Sequence, residues 1–351
     1  MNNKHMPALD GLRGIAALIV VVSHYSNETN LWGGSLGSGA GQAGVILFFI
    51  LSGFLITKLH IDQQFNLTNC GTYAIRRIAR VYPYFVIVAA LPAFLVWVGF
   101  PGKIGMVEID SFPKYLRQIL LVERGANVFW TIQVEILFYA SFIGIWIFAR
   151  AVRNSIIVFV MVALVMVCSL LLKPKTGFLF FDSAHIFLIG VLSAIAYKWM
   201  PNRLTGLAWS VAGLSLLLSV PLTFPVIYKS LTGVEIDPWL SILVLAQLAA
   251  LFNLSLRGSG LLGGFLSSKV LVWLGKISYS IYLLHYFVLV GFLSLAGPVT
   301  NHAIYFTCVM SLVIPISWVG YKYVEMPVQR LVLNMPTAAS RLFSIRASKV
   351  I

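Results

Sequence analysis

The chain has 351 residues, of which 59% are hydrophobic and only 10% are charged, and its formal net charge is +14. Soluble globular proteins carry roughly 25% charged residues, and the mean hydropathy here is +0.91, so the composition excludes a soluble fold. In a polytopic membrane protein, an excess of Lys and Arg belongs in the cytoplasmic loops. No interleaving of aromatic and basic residues suggests a nucleic-acid platform. We therefore expect an all-α, polytopic integral membrane protein that binds no nucleic acid.

About ten stretches are long and apolar enough to cross a bilayer, which takes roughly 20 residues each. They cover residues 11–26, 42–60, 81–100, 128–149, 154–172, 177–198, 204–221, 238–255, 278–296 and 303–324. The first is expected to be a retained span, because Asp10 and Arg13 precede its apolar run, His24 follows it and no signal-peptide cleavage site is evident. Residues 112–122 are too short to span and are expected to lie in the interface or to re-enter.

The distribution of Lys and Arg predicts the orientation. With both termini in the cytoplasm, most of the 25 Lys and Arg residues face that side. Only the following lie outside: Lys103, Lys114, Arg117, Arg124, Lys173, Lys175 and Lys229. This asymmetry follows the positive-inside rule and indicates a protein of the cytoplasmic (inner) membrane.

The chain is expected to form one membrane domain, residues 1–335, followed by a short basic cytoplasmic tail, residues 336–351. The longest hydrophilic stretch within the domain is the outer loop 101–127. Residues 33–44 are rich in glycine but match neither the P-loop nor the dinucleotide-binding spacing, which favours a flexible outer loop over a lid that faces the substrate. The three cysteines, Cys70, Cys168 and Cys308, show no spacing typical of a metal site or a disulfide framework.

The first span carries a charged stripe. Arg13 and His24 are eleven positions apart, so their side chains share one helix face about 16 Å apart along the axis. Asp10 precedes Arg13 by one helical turn and can pair with it. Histidine suits the role of general base, because its ordinary pKa is near 6.5. The alternative is an interfacial ion pair with a histidine at the level of the outer headgroups.

Three arginines, Arg76, Arg77 and Arg80, stand just before the third span. They are either a positive-inside anchor or a phosphate-binding cluster, since guanidinium groups bind phosphate through paired hydrogen bonds. Glu135 lies in a largely apolar run, where a carboxylate must be paired, protonated or exposed to water. Ionisable groups at this depth are candidates for function.

Further polar residues occur in the later spans. Asp182 and His185 share a helix face, so the carboxylate could orient the imidazole, or the two could form a structural pair. Ser278, Tyr282 and His285 form a stripe that lines a cavity or joins helices. Glu325 ends the last span, where an interfacial cap is the simplest interpretation. No residue set has zinc-ligand spacing and no Gly-x-Ser-x-Gly motif is present, which favours acid–base chemistry without a metal.

Taken together, seven motifs resemble the acyltransferase-3 family of membrane acyltransferases, which includes bacterial O-antigen and exopolysaccharide O-acetyltransferases. The resemblance covers residues 7 to 330. The motifs are the opening run Pro7–Ala17, the pair Arg13 and His24, the run Phe49–Ile56, the pair Arg77 and Arg80 followed by Tyr82 and Pro83, the run Trp130–Tyr139, the run Leu274–His285 and the run Glu325–Arg330. Thr131 and Ile132 replace the family's usual serine and leucine.

This resemblance implies an acyl-CoA co-substrate, usually acetyl-CoA, with no bound cofactor, and a carbohydrate hydroxyl as acceptor, such as lipopolysaccharide. His24 would deprotonate the acceptor or transiently carry the acyl group, and Arg13 would stabilise developing negative charge. Arg77 and Arg80, with Arg76, would hold the CoA phosphates, and Glu135 would orient a base or hold the donor. Many relatives carry an esterase-like domain after the last span. We expect this chain to lack it and to transfer directly or through a partner.

Two other classes of function remain open. Buried Arg, His and Glu also suit a proton-coupled secondary transporter, although no paired, broken helices mark inverted repeats. A non-catalytic scaffold in an envelope polymer-export complex would leave Arg13, His24 and Glu135 unexplained. Membrane lipids are expected partners in every case. The sequence leaves the oligomeric state, the acceptor and the length of the acyl chain open.

Overall fold

The computed structural model describes residues 5–37, 39–99, 111–122, 125, 127–172, 179–199, 206–256 and 260–335, and these residues form helices and connecting turns without any β-strand. The helices are α1 (Pro7–Thr29), α2 (Ala40–His60), α3 (Leu67–Trp97), α4 (Phe112–Ile119), α5 (Trp130–Val152), α6 (Ser155–Leu172), α7 (Leu179–Ala196), α8 (Gly206–Ser219), α9 (Pro225–Thr232), α10 (Ile242–Ser255), α11 (Gly260–Leu266), α12 (Lys269–Lys276), α13 (Ser278–Ala296) and α14 (His302–Gly320). The predicted tail 336–351 and much of the loop 101–127 lie outside the described residues.

Each of the ten apolar stretches overlaps a helix, and the described residues contain no β-strand, so the all-α prediction is confirmed. Five helices in the described part are long and apolar enough to cross a membrane: α1, α2, α5, α13 and the continuous helix His302–Met335. The bent pair α10 and α11 would add a sixth, and α6, α7 and α8 contain shorter apolar helices. The chain is therefore a multi-pass membrane protein. The count of ten crossings and the cytoplasmic location of the termini stay predictions.

Helices α1 and α2 form the centre of the bundle. In their most apolar windows, 61% and 67% of the residues are buried, against 17% in the helix that ends at Met335. The most extensive helix pairings are those of α2 with α7 and of α1 with α12 and α2. The more peripheral helices present apolar side chains outward, as on α6, where Leu164 and Leu171 are 53% and 75% exposed. Such a surface is stable only against lipid or another protein.

Glycines set the closest approaches between the central helices. A Cβ added to Gly53 on α2 would overlap the carbonyl oxygen of Phe187 on α7, and one added to Gly190 on α7 would overlap the carbonyl oxygen of Ile50. Gly275 meets the backbone of Asp10 in the same way, where α12 crosses α1. Small residues at helix crossings are typical of membrane bundles, in which close packing replaces the hydrophobic effect as the driving force for association.

Two local features bear on the site. Helix α4 is too short to span, as expected for residues 112–122, and it lies against α3, where the Tyr82 hydroxyl donates to the Ile119 carbonyl oxygen at 2.8 Å. After α14, the backbone continues through one π-helical turn, Tyr321–Glu325. Turns of this kind inside α-helices are frequent at functional sites, and this one carries the buried Glu325.

Candidate active site

A cavity of about 110 Å³ lies between α1, α2, α3, α5 and α13. Phe48, Phe49, Leu51 and Leu55 of α2 form much of its apolar wall. Its polar lining consists of Arg13, Ser52, Arg77, Arg80, Thr131, Glu135, Tyr139, Ser278, Tyr279 and Tyr282. A cavity needs only about 10–15 Å³ of such space to hold one water, so this cavity has room for several waters or a thin flexible chain.

Three guanidinium groups face this cavity, from Arg13 on α1 and from Arg77 and Arg80 on α3. Glu135 is the carboxylate in the cavity lining among the described residues, so the lining carries more positive than negative charge. The Nε atom of Arg77 is buried and has no hydrogen-bond partner among these residues. Because an unpaired buried donor is costly, the site is suited to binding an anion or a group that develops negative charge.

Arg80 differs from Arg77 because it has a counter-ion. Its Nη1 lies 3.3 Å from Oε1 of Glu325, and the other carboxylate oxygen of Glu325 accepts a hydrogen bond from the Ser280 hydroxyl at 2.7 Å. Glu325 is only 2% exposed, so it is not the interfacial cap expected from the sequence. Its position on the π-helical turn brings it behind the cavity, where it partly neutralises Arg80.

Glu135 is held by two hydroxyl donors. The Ser52 hydroxyl donates to its Oε1 at 2.8 Å, and the Tyr139 hydroxyl, one helical turn along α5, donates to the same oxygen. These bonds hold the carboxylate at the cavity wall and meet part of its need for hydrogen bonds in an apolar setting. Glu135 is therefore placed to attract a cation, orient a donor group or balance the arginines.

His24 does not line this cavity. Its ring lies against His285 and Tyr286 of α13, with ring centroids 5.2 Å from each. His285 is 0% exposed, and its ring centroid lies 6.2 Å from that of Tyr282, which does line the cavity. Towards the predicted outer side of the membrane, the Tyr286 hydroxyl donates to Oε1 of the exposed Glu28 at 2.7 Å. Tyr282 thus separates His285 from the cavity, and His24 lies on the other ring contact of His285.

Four of the sequence candidates lie away from the cavity. Asp10 pairs with His5, with 2.7 Å between Oδ2 and Nε2, rather than with Arg13. Arg76 is exposed beside its neighbour Arg77. Asp182 is exposed at the start of α7, and the Nε2 of His185 lies 2.7 Å from the carbonyl oxygen of Trp239. The proposed orientation of His185 by Asp182 is therefore replaced by a hydrogen bond to the backbone.

The structure adds partners that the sequence did not single out as site residues. Ser52 and Tyr139 hold Glu135, Ser280 holds Glu325, and Tyr279 lines the cavity. The sequence pattern could have indicated Ser52 and Tyr139 as partners of Glu135. Ser52 interrupts an apolar run, and Tyr139 lies one helical turn after Glu135. Within the described residues, no cluster of three or more His, Cys, Asp or Glu side chains could hold a metal ion.

The family model and the similar proteins both indicate an acyltransferase. The family model described as an acyltransferase domain, Acyl_transf_3, matches residues 6–322. "Putative O-acetyltransferase SAS0844" of Staphylococcus aureus (strain MSSA476) is 25% identical over 375 residues, covering 93% of this chain and 58% of that protein. "Putative peptidoglycan O-acetyltransferase YrhL" of Bacillus subtilis (strain 168) is 24% identical over 371 residues, covering 93% and 55%.

"O-acetyltransferase OatA" of Staphylococcus aureus (strain NCTC 8325 / PS 47) is 24% identical over 370 residues, covering 93% of this chain and 58% of that protein. The chain thus spans a little over half the length of these relatives. No solved structure matches it significantly. Because the family model covers nearly the whole of its length, this chain belongs to the acyltransferase-3 family.

Proposed function

We propose that the protein transfers an acyl group, most simply acetyl, from cytoplasmic acyl-CoA to a hydroxyl group of an extracytoplasmic or lipid-linked carbohydrate. The observation that carries the proposal is the cavity in which Arg13, Arg77 and Arg80 converge from two helices beside Glu135. Charged groups at membrane depth are costly and mark sites of function. Family membership supports acyl transfer as that function.

The arginines support an anionic donor that enters from the cytoplasm. Arg77 and Arg80 lie in the cytoplasmic half of α3 in the orientation predicted by the loop charges. Guanidinium forks recognise phosphate better than ammonium groups do. The cavity suits a thin pantetheine-like arm. The nucleotide of CoA would stay at the mouth near the exposed Arg76, while the thioester extends past Tyr282 towards His24.

The reaction follows from this arrangement. The acceptor oxygen attacks the thioester carbonyl carbon, forming a C–O bond, and the C–S bond then breaks. His24 takes the hydroxyl proton as general base, and the proton finally resides on the CoA sulfur, so no net proton is released. Arg13 lines the cavity about 16 Å from His24 along the helix axis, so it holds the polar donor arm there and does not contact the reacting carbonyl. In an alternative order of steps, His24 first accepts the acyl group and then passes it to the hydroxyl. The overall reactants and products are the same.

The acceptor would reach His24 from the outer side. His24 lies eleven residues after Arg13 on α1, about 16 Å further along the helix axis. It is followed by Glu28 and the glycine-rich segment 33–44, which would flank the entry path. The names of the relatives, one of which specifies peptidoglycan, support an envelope carbohydrate as the acceptor. The alternative of acylation before export predicts that donor and acceptor meet on the cytoplasmic face.

The experiment is transfer across a sealed membrane. The purified protein is reconstituted in sealed vesicles of sorted orientation, with labelled acetyl-CoA on one side and a soluble peptidoglycan or polysaccharide fragment on the other. Base-labile label in the fragment is expected only when acetyl-CoA faces the cytoplasmic loops, and it is expected to be absent from vesicles that contain His24→Ala. Equal product with both substrates on the cytoplasmic face would contradict the route through the membrane, and no transfer in any arrangement would contradict the function.

A further inference from the structure

The buried histidine on α13 has one ring nitrogen without a hydrogen-bond partner in the part of the chain that the structure describes. The Nδ1 of His285 lies 3.0 Å from the carbonyl oxygen of Ile281, one turn earlier in the same helix. A carbonyl oxygen can only accept, so Nδ1 carries the hydrogen and Nε2 bears the lone pair. That Nε2 is buried and has no hydrogen-bond partner among the described residues. Burying an unpaired polar atom is costly, so its retention calls for an explanation.

The neighbour that can satisfy this lone pair is His24. The two ring centroids are 5.2 Å apart with the planes tilted by 51°, close enough for rotation of the His24 ring to bring one of its nitrogens to a hydrogen-bond distance of roughly 2.7–3.2 Å. Tyr286 lies across the His24 ring edge-on, and its hydroxyl is anchored to Glu28. Tyr286 therefore restricts the rotation of the His24 ring.

We propose that His285 is the positioning residue for His24 in the proposed acyl transfer, on which this inference rests. The lone pair of His285 Nε2 accepts the N–H of His24 and so fixes its tautomer. The other nitrogen of His24 then presents its lone pair to the acceptor hydroxyl. When His24 takes the hydroxyl proton, its imidazolium keeps this hydrogen bond, His285 stays neutral, and the proton passes on to the CoA sulfur. Orienting a catalytic imidazole through its second nitrogen is a common device.

Three variants separate this role from simple packing. In His285→Gln, the side-chain amide can place its oxygen near the position of Nε2, so an acceptor for His24 is kept. His285→Asn keeps a donor near Nδ1 for the Ile281 carbonyl oxygen but has no atom at the Nε2 position. His285→Phe keeps the ring shape and loses both hydrogen bonds. A packing role predicts that the phenylalanine variant is the mildest, whereas a positioning role predicts that the glutamine variant is.

The measurements are steady-state kinetics and nitrogen NMR on the full chain in lipid nanodiscs. We expect kcat to fall about 10- to 100-fold in His285→Asn and His285→Phe, as when the outer partner of a functional histidine is lost. KM for acetyl-CoA should stay within about twofold, and His285→Gln should stay within about threefold of the wild-type kcat. A wild-type kcat in His285→Asn, or equal loss in the Gln and Phe variants, would overturn the proposal.

The NMR readout does not depend on the activity. The chain has six histidines, so ¹⁵N-histidine labelling gives few signals, and His24 is assigned by its loss in His24→Gln. We expect a single tautomer of His24 in the wild type and in His285→Gln, and a mixture in His285→Asn. The same mixture in all three proteins would overturn the positioning role. If the wild type transfers no acyl group to any acceptor, the proposed function fails, while the tautomer measurement still decides the role of His285.

Discussion

Arg80 and Glu325 form a largely buried ion pair, with 3.3 Å between Nη1 and Oε1, although they are 245 positions apart in the chain. The pair makes the two arginines of the Arg-x-x-Arg motif unequal. Arg77 lines the cavity, and its Nε has no hydrogen-bond partner within the described segments, whereas Arg80 is paired with a carboxylate on the last helix. Arg77 is therefore the better candidate for direct contact with an anionic donor, and Arg80 also ties α3 to the π-helical turn.

Replacement of Arg77 should weaken the use of the donor. Arg77→Lys keeps the charge but loses the planar fork, and we expect KM for acetyl-CoA to rise about tenfold, equivalent to about 1.4 kcal/mol. Arg150→Lys is the matched control, because Arg150 donates to the carbonyl oxygen of Asp62 at 3.4 Å and does not line the cavity. An unchanged KM in both variants would mean that Arg77 serves only as a topological anchor.

Loss of either partner of the Arg80–Glu325 pair should destabilise the bundle. Glu325→Ala leaves Arg80 without its counter-ion, and we expect a loss of about 1–3 kcal/mol, less than for a fully buried pair because Arg80 is 26% exposed. The double variant Arg80→Met with Glu325→Ala should recover much of that loss. A double-mutant cycle of unfolding free energies in detergent measures the coupling, and strictly additive effects would argue against a coupled pair.

Removal of the proposed general base should abolish acyl transfer without affecting insertion. His24→Ala is expected to lower kcat by about 10²- to 10⁴-fold, the usual contribution of a positioned base. His302→Ala is the control, since His302 packs against Tyr25 near the same end of α1 and lies off the cavity. Membrane yield and thermal stability of both variants are compared with the wild type. Full activity of His24→Ala would remove His24 from the mechanism.

The glycine contacts predict a contrast in stability between two chemically identical changes. Gly53→Ala places a methyl group against the backbone of Phe187 on α7 and should cost about 1–3 kcal/mol through overpacking. Gly144→Ala on α5 meets nothing within 4 Å and should be neutral or stabilising by up to about 1 kcal/mol, because alanine favours the helix. Thermal unfolding in detergent tests this contrast. Equal shifts in Tm would mean that α2 and α7 are not packed so closely.

The charge asymmetry of the loops predicts that both termini are cytoplasmic. A protease-sensitive tag at the C-terminus should resist digestion from outside intact cells and be cut in inverted vesicles. The same tag inserted after Gly233, in a segment assigned to the outer side, should behave in the opposite way. A C-terminal tag that is cut from outside would contradict the predicted orientation and the direction assigned to the donor.

Hydropathy along the chain was sufficient to find the long apolar helices but not the short helices α9, α11 and α12. The stretches 42–60 and 278–296 match α2 and α13 closely, because a long apolar run in a membrane has few conformations other than a helix that satisfy the backbone. Some helices also extend well beyond the predicted stretches, as the last one does in reaching Met335. Helix α3 begins at Leu67, well before the stretch predicted from residue 81, because its polar first turns lie outside any apolar window.

The sequence by itself also determined which residues at membrane depth are chemically unusual, since Arg13, His24, Arg77 and Glu135 each interrupt an apolar or amphipathic run. Only the tertiary structure decided their partners. Glu135 contacts Ser52, Arg80 contacts Glu325, and His24 contacts His285. Periodicity is a local property that fixes the face on which a side chain lies, whereas a partner on another helix depends on how closely and at what rotation two helices meet. In this bundle, the distances at the helix crossings are set by backbone contacts at glycines such as Gly53, Gly190 and Gly275. No pattern within a single helix specifies which backbone each glycine contacts.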